Sequence, residues 1–308
     1  MFLFVLGSFV IACSAKVDRF PLPGESLRAG AFTVEAGGKG LNVAVGARRL
    51  GVAVDGLLAV GDDLFGGLAE PTLDRAGLPL SMIRRRAGGT GAGIGFTDAH
   101  GENCLAVFPG ANRLLSAADV RTAPGLTRAA LVAAQFEIDD APIAEAFMLA
   151  RAAGVRTLLT PSPYREPAAG LLSTTDILVL NAVEAAQMAG SSRAGQASSP
   201  EDAAALGASL LARGPDLVVI TLGPRGAVAC RRGTAPLHQP AFPVTAVDSL
   251  GAGDAFTAAL AAGLVQGRPL TVCLERAAAC GAIVAGRLGV FDALPSADQL
   301  DRYLRPAD

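Results

Sequence analysis

The sequence predicts an α/β fold: a mostly parallel sheet with helices on both faces, and a small second sheet beside it. Three observations lead there. Short apolar runs alternate with helical stretches through the second half of the chain, the pattern of consecutive β-α units. The carboxyl ends of those runs carry polar or glycine-rich punctuation, at Glu137, Thr160-Pro161-Ser162-Pro163, Asn181 with Glu184, and Thr221 to Gly226. A hairpin pattern at 90–96 and 105–108, around a turn at 98–103, then interrupts the alternation. A hairpin does not belong in a plain doubly wound sheet. Together with strands expected within 26–35 it forms a second sheet covering a site.

In order along the chain, residues 1–15 are apolar, and Val10-Ile11-Ala12-Cys13 superficially resembles a lipoprotein cleavage site. No Lys or Arg precedes the run, Gly7-Ser8 interrupts it, and it is too short to cross a bilayer. The expectation is a buried strand over 2–6 ending in a Gly-Ser turn. After a turn at 21–25 comes Ala36-Gly37-Gly38-Lys39-Gly40-Leu41-Asn42, leading into a helix over 43–50 with Gly51 just past its end. A strand over 52–60 and a helix over 65–76 follow. The later runs at 130–134, 155–159, 177–180 and 217–220 read as strands, and 140–152, 182–189 and 201–213 as helices. Residues 190–200, rich in Ser, Ala and Gly, read as a surface loop.

At 308 residues the chain is long for one average domain, but a many-stranded α/β sheet reaches this size as one unit, and no linker or repeat divides 1–308. Hydrophobic residues make up 51% with no Trp and 5% aromatics, so the core must be built from Ala, Val and Leu in close packing. With 26 basic against 28 acidic residues there is no nucleic-acid footprint. The dense basic run Arg84-Arg85-Arg86 reads as a solvated loop face. Cys13, Cys104, Cys230, Cys273 and Cys280 are scattered without a C-x-x-C spacing, which reads as reduced, mostly buried thiols of a cytoplasmic protein. His100 and His238 stand far apart, so a metal would be held by oxygen ligands.

The stretch Asp248-Ser249-Leu250-Gly251-Ala252-Gly253-Asp254 organises the chemistry. An apolar run ending at Val247 feeds into it, and an alanine-rich helical segment, 257–264, follows. Two glycines and an alanine ahead of a helix let its first backbone N–H groups face one point, which makes an anion site. The helix dipole adds on the order of 0.3–1 kcal/mol for a negative charge there. Asp254 is itself an anion at that place. It is either a base taking a proton from a nucleophile or an N-cap closing the helix, and the stretch alone leaves both open. Lys39 is the one cation among three glycines, without the Walker A spacing. Lys39 and Asn42 are either ligand-binding groups or ordinary turn and first-turn residues.

Gly37-Gly38-Lys39-Gly40-x-Asn42, Asn181-x-x-Glu184, Thr221-x-Gly223-x-x-Gly226 and Asp248-x-x-Gly251-Ala252-Gly253-Asp254 occur in this order. The series resembles the ribokinase (PfkB-type) family of ATP-dependent carbohydrate kinases, from Gly7-Ser8 to Leu294-Pro295. The resemblance implies a ribokinase-like three-layer αβα Rossmann-type sheet with a small β-sheet lid, from about 11–36 and 90–109. It also implies in-line transfer of the ATP γ-phosphoryl group to a hydroxyl of a small sugar or sugar-like substrate. Asp254 would be the base, and the amides of Gly251, Ala252 and Gly253 the anion hole. Asn181 and Glu184 would help hold Mg²⁺ and the phosphates, Glu184 through water. Thr221, Gly223 and Gly226 match the nucleotide loop, and Gly38, Lys39, Asn42 and Glu137 the sugar pocket. Asp248 and the Leu250 carbonyl stand where the family holds a monovalent cation such as K⁺, although Ala293 replaces a hydroxyl often found there.

The largest departure is at Val10 and Ala12, where the family usually has Asn and Asp holding sugar hydroxyls. The expected substrate is therefore not plain ribose but one with fewer hydroxyls on that side, or with an apolar group. Family lids often pair into a homodimer. The implied partners are ATP and a small sugar, with no nucleic acid and no membrane. The same scaffold also serves nucleoside and keto-deoxy sugar acid kinases, and a regulator that binds sugar or nucleotide without catalysis is the reading from another class.

Overall fold

A computed structural model of the chain describes residues 1–100, 102–190 and 199–305. In β1, Phe2–Ser8, an interior strand of the main sheet, successive side chains go to opposite faces: Leu3 and Val5 into one core, Phe4 and Leu6 into the other. Both faces of the sheet are covered, so the strand is apolar throughout rather than alternating.

The remaining strands of this sheet are β4 (Ala53–Gly61), β5 (Ile83–Arg86), β8 (Leu131–Gln135), β9 (Arg156–Thr160), β10 (Ile177–Asn181), β11 (Leu217–Thr221), β12 (Ala227–Arg231) and β13 (Leu237–Gln239). Their order is β13-β12-β11-β10-β9-β8-β1-β4-β5. Pairings from β11 to β5 are parallel, and β12 and β13 add antiparallel at one edge. The first core lies under α1 (Lys39–Arg49), α2 (Ala69–Ala76), α7 (Ala252–Val265), α8 (Leu270–Ala285) and α9 (Ala297–Leu304). The second lies under α3 (Ala117–Arg121), α4 (Asp140–Ala152), α5 (Ala182–Met188) and α6 (Pro200–Leu211). This is the three-layer arrangement the alternation predicts.

A separate sheet, β3-β2-β6-β7, is built from β2 (Val10–Lys16), β3 (Ala31–Gly37), β6 (Gly91–Thr97) and β7 (Asn103–Phe108). The expected hairpin is β6 and β7, paired antiparallel. Only Phe9 separates β1 from β2, so the chain passes from one sheet to the other at a single residue. Asn112 holds that residue at both ends: its Oδ1 accepts from Phe9 N at 3.0 Å and its Nδ2 donates to Phe9 O at 2.9 Å.

Several expectations need correction. Gly7-Ser8 is no turn: β1 runs through it. A Cβ on Gly7 would stand 2.5 Å from Gly40 Cα, so the glycine is there for the close approach of α1 to the strand. Helix α1 starts at Lys39, earlier than expected, because Gly38 at φ 97° makes the turn into it. The Arg84-Arg85-Arg86 run is an edge strand rather than a solvated loop. Arg85 pairs with Glu70 at 2.7 Å, Arg86 pairs with Asp119, and Arg84 donates to Ser81 O. Charges on an edge strand discourage pairing with another chain. After the apolar run ending at Val247, Val247 N and Asp248 N both donate to Ala285 O at the end of α8. The loop expected at 190–200 lies mostly outside the described residues. The five cysteines are free, three of them buried.

Helix α7 is buried on nearly every side, so it shows no polar face. Gly46 of α1 and Gly263 of α7 allow its close packing. A Cβ at the first would come 2.6 Å from Ala258 Cβ, and one at the second 2.7 Å from Cys273 Sγ. An aromatic-poor, alanine-rich chain packs its helices in this way.

Candidate active site

The parallel strands end on one side of the sheet, and the polar punctuation of the sequence gathers there. Helix α7 begins at Gly251, whose φ of 75° suits only glycine, with no side chain capping it. Asp254 is therefore not the N-cap. It lies three residues into the helix, 8% exposed, with both oxygens engaged. Asn42 Nδ2 donates to its Oδ2 at 2.7 Å, and Lys39 Nζ lies 3.6 Å from its Oδ1. These contacts span more than two hundred residues of sequence and bring the first turn of α1 against the first turn of α7.

The cluster extends to β1 and β8. Ser8, fully buried, donates from Oγ to Glu137 Oε2 at 2.5 Å and accepts from Gly40 N at 3.2 Å. Lys39 N donates to the same Glu137 oxygen at 2.8 Å. Gly40 is required here, since a Cβ would lie 2.4 Å from Ser8 N. Ser8 is the member that sequence reasoning missed; its signal was a hydroxyl at the carboxyl end of a fully buried strand. The negative charge of Asp254 holds the Lys39 ammonium above its ordinary pKa. Burial opposes that, and Glu137 and Glu184 add to it. Asn42 Oδ1 is buried without a partner among the described residues, an acceptor left open inside the cluster.

Asn181 and Glu184 sit at the end of β10. Asn181 Oδ1 accepts from Glu184 N at 2.9 Å and Glu184 Oε2 accepts from Asn181 N at 2.9 Å, a capping box at the start of α5. One Glu184 oxygen is thus committed to the helix and the other is spare among the described residues. Thr221 pairs with Asn181 across the strands. Gly223 and Gly226 turn the chain from β11 to β12 at φ 58° and 89°. A Cβ on Gly226 would collide with Gln239 O at 2.0 Å. Asp248 and Leu250 stand on the exposed loop before α7, where Asp248 Oδ1 accepts from Leu250 N at 2.9 Å. In the anion-hole stretch, Ala252 N already donates to Ser249 O at 3.3 Å, whereas the space beside Gly253 is open.

The sequence-singled residues thus fall into two groups on one side of the sheet. Asp254, Lys39, Asn42 and Glu137 are in direct contact around Gly38. Asn181, Glu184, Thr221, Gly223 and Gly226 form a second group, which reaches the first through the field of Glu184 at Lys39. No group of three or more His, Cys, Asp or Glu side chains among the described residues is placed to hold a metal by itself.

Comparison with known proteins gives the family and the fold. The family model for "pfkB family carbohydrate kinase" matches residues 2–297. A deoxyribokinase of Salmonella typhi is 30% identical over 304 residues, covering 97% of each chain. A ribokinase of Mus musculus is 34% identical over 263 residues, covering 83% of this chain and 80% of its own. The structure of Arabidopsis thaliana ribokinase complexed with ribose and ATP superimposes with a TM-score of 0.89 at 27% identity, covering 99% of both chains.

Proposed function

The chain belongs to the pfkB family of carbohydrate kinases and is an ATP-dependent sugar kinase; on that premise we propose how its residues divide the work and which acceptor it prefers. The observation that carries the assignment is the buried Asp254 carboxylate held between Lys39 and Asn42 at the uncapped start of α7.

Asp254 takes the proton of the acceptor hydroxyl while that oxygen bonds to the γ-phosphorus and the bond to the leaving ADP oxygen breaks. Asn42 fixes the carboxylate and turns its open Oδ1 toward a sugar hydroxyl. Lys39 keeps its charge well into the alkaline range and balances the negative charge that gathers as the phosphoryl group moves. Glu137, tied to Ser8 and the Lys39 amide, holds the glycine turn in shape. The amides of Gly251, Ala252 and Gly253 donate to the phosphoryl oxygens, with Ala252 exchanging its bond to Ser249 for one to the ligand.

Asn181, Glu184, Thr221, Gly223 and Gly226 form the nucleotide side. The spare Glu184 oxygen suits Mg²⁺ held through water, since the described residues offer no three-ligand cluster. Asp248 and the Leu250 carbonyl offer a carboxylate and a carbonyl, a donor set that fits K⁺, whose charge would sit beside the α7 N-terminus. Residues 11–36 and 90–109 act as a lid. Phe32, Val34, Ile94 and Phe108, each about half exposed or more, share one face of it, which supports pairing of two lids in a homodimer. The free cysteines suit a cytoplasmic enzyme.

The acceptor we propose is a small sugar with fewer hydroxyls than ribose over the pocket floor. Val10 and Ala12 support this, as neither can hold a hydroxyl, and so does the similarity to a deoxyribokinase. The test is a coupled ATPase screen with Mg²⁺ and K⁺ over pentoses, hexoses, deoxysugars, sugar acids and nucleosides. A deoxypentose should rank above ribose; turnover of ribose at micromolar KM in preference to every deoxysugar would refute the acceptor assignment.

A further inference from the structure

One registered row across the second sheet reads Glu35, Ala12, Gly93, Val107. Paired residues share a face, and Gly37 and Val10, two positions along, lie on the same one. That face looks toward the Asp254 cluster, because a side chain started at Gly37 would come 3.9 Å from Asn42 Oδ1. Gly93 is not demanded by packing. A methyl group there would meet only Leu105 and Ala106, at 3.7 and 3.9 Å, which is ordinary contact. Alanine and glycine in adjacent strands therefore present only small groups over the middle of the row, with Leu105 in ordinary contact beside Gly93 and a carboxylate at the row's end.

The Glu35 carboxylate is half-buried and reaches the 289–290 loop. Its one hydrogen bond among the described residues is a long one, 3.4 Å from Val290 N to Oε2. Val290 in turn packs where a Cβ on Gly251 would be, at 2.3 Å. So Glu35 stands between the second sheet and the start of α7 with most of its acceptor capacity unused. Glu137 and Asp254 are different: one oxygen of each takes bonds of 2.5–2.8 Å from neighbouring side chains or backbone.

We propose that Glu35 is a specificity-determining residue of the acceptor site. It accepts a hydrogen bond from a sugar hydroxyl lying over Ala12 and Gly93, distant from the hydroxyl that Asp254 deprotonates. The inference rests on the kinase reading above and deepens it: a deoxypentose carries fewer hydroxyls over Val10 and Ala12, and Glu35 holds one of those it retains.

Steady-state kinetics of the wild type, Glu35→Gln and Glu35→Ala, with D-ribose and its 1-, 2- and 3-deoxy analogues, test it. At least one deoxygenation should lower wild-type kcat/KM, and Glu35→Ala should abolish that discrimination. A lost hydrogen bond to a charged group should reduce kcat/KM for the hydroxylated sugar roughly ten- to a hundredfold, mostly through KM, with Gln intermediate and the KM for ATP unchanged. Equal losses for all four sugars, or a loss in kcat and in the KM for ATP, would overturn the assignment, because a carboxylate that only braces the 289–290 loop would act that way. Activity with selectivity independent of Glu35 overturns this inference alone. A folded wild type that phosphorylates none of the four overturns the pentose kinase reading and this inference with it.

Discussion

The two halves of the site are built differently. On the acceptor side, Ser8, Lys39, Asn42, Glu137 and Asp254 come from three elements and the turn after β8, and are joined by long-range side-chain bonds. On the nucleotide side, Asn181 and Glu184 satisfy each other within one helical turn, and Gly223 and Gly226 shape a local turn. Long-range polar contacts serve the site more than the local fold, whereas a capping box also closes helices away from the site, as at α3 and α9. Substitutions should therefore separate chemistry from stability in the first half and mix them in the second.

Asp254→Asn is the strongest way to break the contrast. Loss of the base should lower kcat on the order of 10²–10⁴-fold while thermal unfolding stays within a few degrees of wild type; a retained rate would place the proton acceptor elsewhere. Lys39→Met should come next, at about ten- to a hundredfold in kcat, since it removes the cation beside Asp254. Because Asp254 raises the Lys39 pKa, wild-type rates should show no loss from Lys39 titration until well above neutral pH, and an alkaline limb near pH 8 that disappears in Lys39→Met would contradict this. Glu184→Ala should mix its effects, raising the Mg²⁺ needed for half-maximal rate and also destabilising α5 by about 1 kcal/mol through the lost cap. An unchanged metal requirement with the same stability loss would leave Glu184 a capping residue only. Exchanging K⁺ for a bulky organic cation should lower the rate, and no change would remove the cation site at Asp248.

The smallest effect lies away from the site and serves as a control. Burial alone would raise the Asp119 carboxyl, but the bonds from Arg86 and Ser116 outweigh it and hold the pKa at about 2. A pKa lowered in the folded state stabilises above the unfolded value and is lost as pH falls through the folded one. Ser116 shares in this shift and solvent screens the pair, so the Arg86–Asp119 bond should contribute less than about 1 kcal/mol at neutral pH, and this should fade between about pH 4 and pH 2. Denaturant titrations of Arg86→Ala should converge on wild type at the acid end with kinetics unaltered.

Both glycine-rich motifs were legible because their constraints are local: Gly38, Gly40 and Gly251 each answer a positive φ or a backbone approach that no other residue allows. The parallel core was legible from its apolar runs. Three features were not. Helix α8 is buried along most of its length and starts without a side-chain cap, so neither a period nor a start signal marks it. Strands β12 and β13 pair antiparallel across a tight turn, against the alternation that announces the rest. Asp254 could be read as a cap because an aspartate after a glycine turn looks alike in both roles. The helix start at Gly251, with Asp254 three residues inside it, removes the cap reading.

The single residue between the two sheets has a mechanical meaning. Asn112 grips Phe9 at both its N–H and its C=O, and its amide also occupies the space where a side chain on Gly91 would be, 2.3 Å away. Both strands that enter the second sheet from the main body thus cross one pivot. A rotation of about 10° there would carry the far end of β2, about 23 Å out, through about 4 Å, while Val10 would shift by less than about 1 Å. Such a lever of unequal arms would sweep its tip widely and keep the floor above the reacting hydroxyl nearly still.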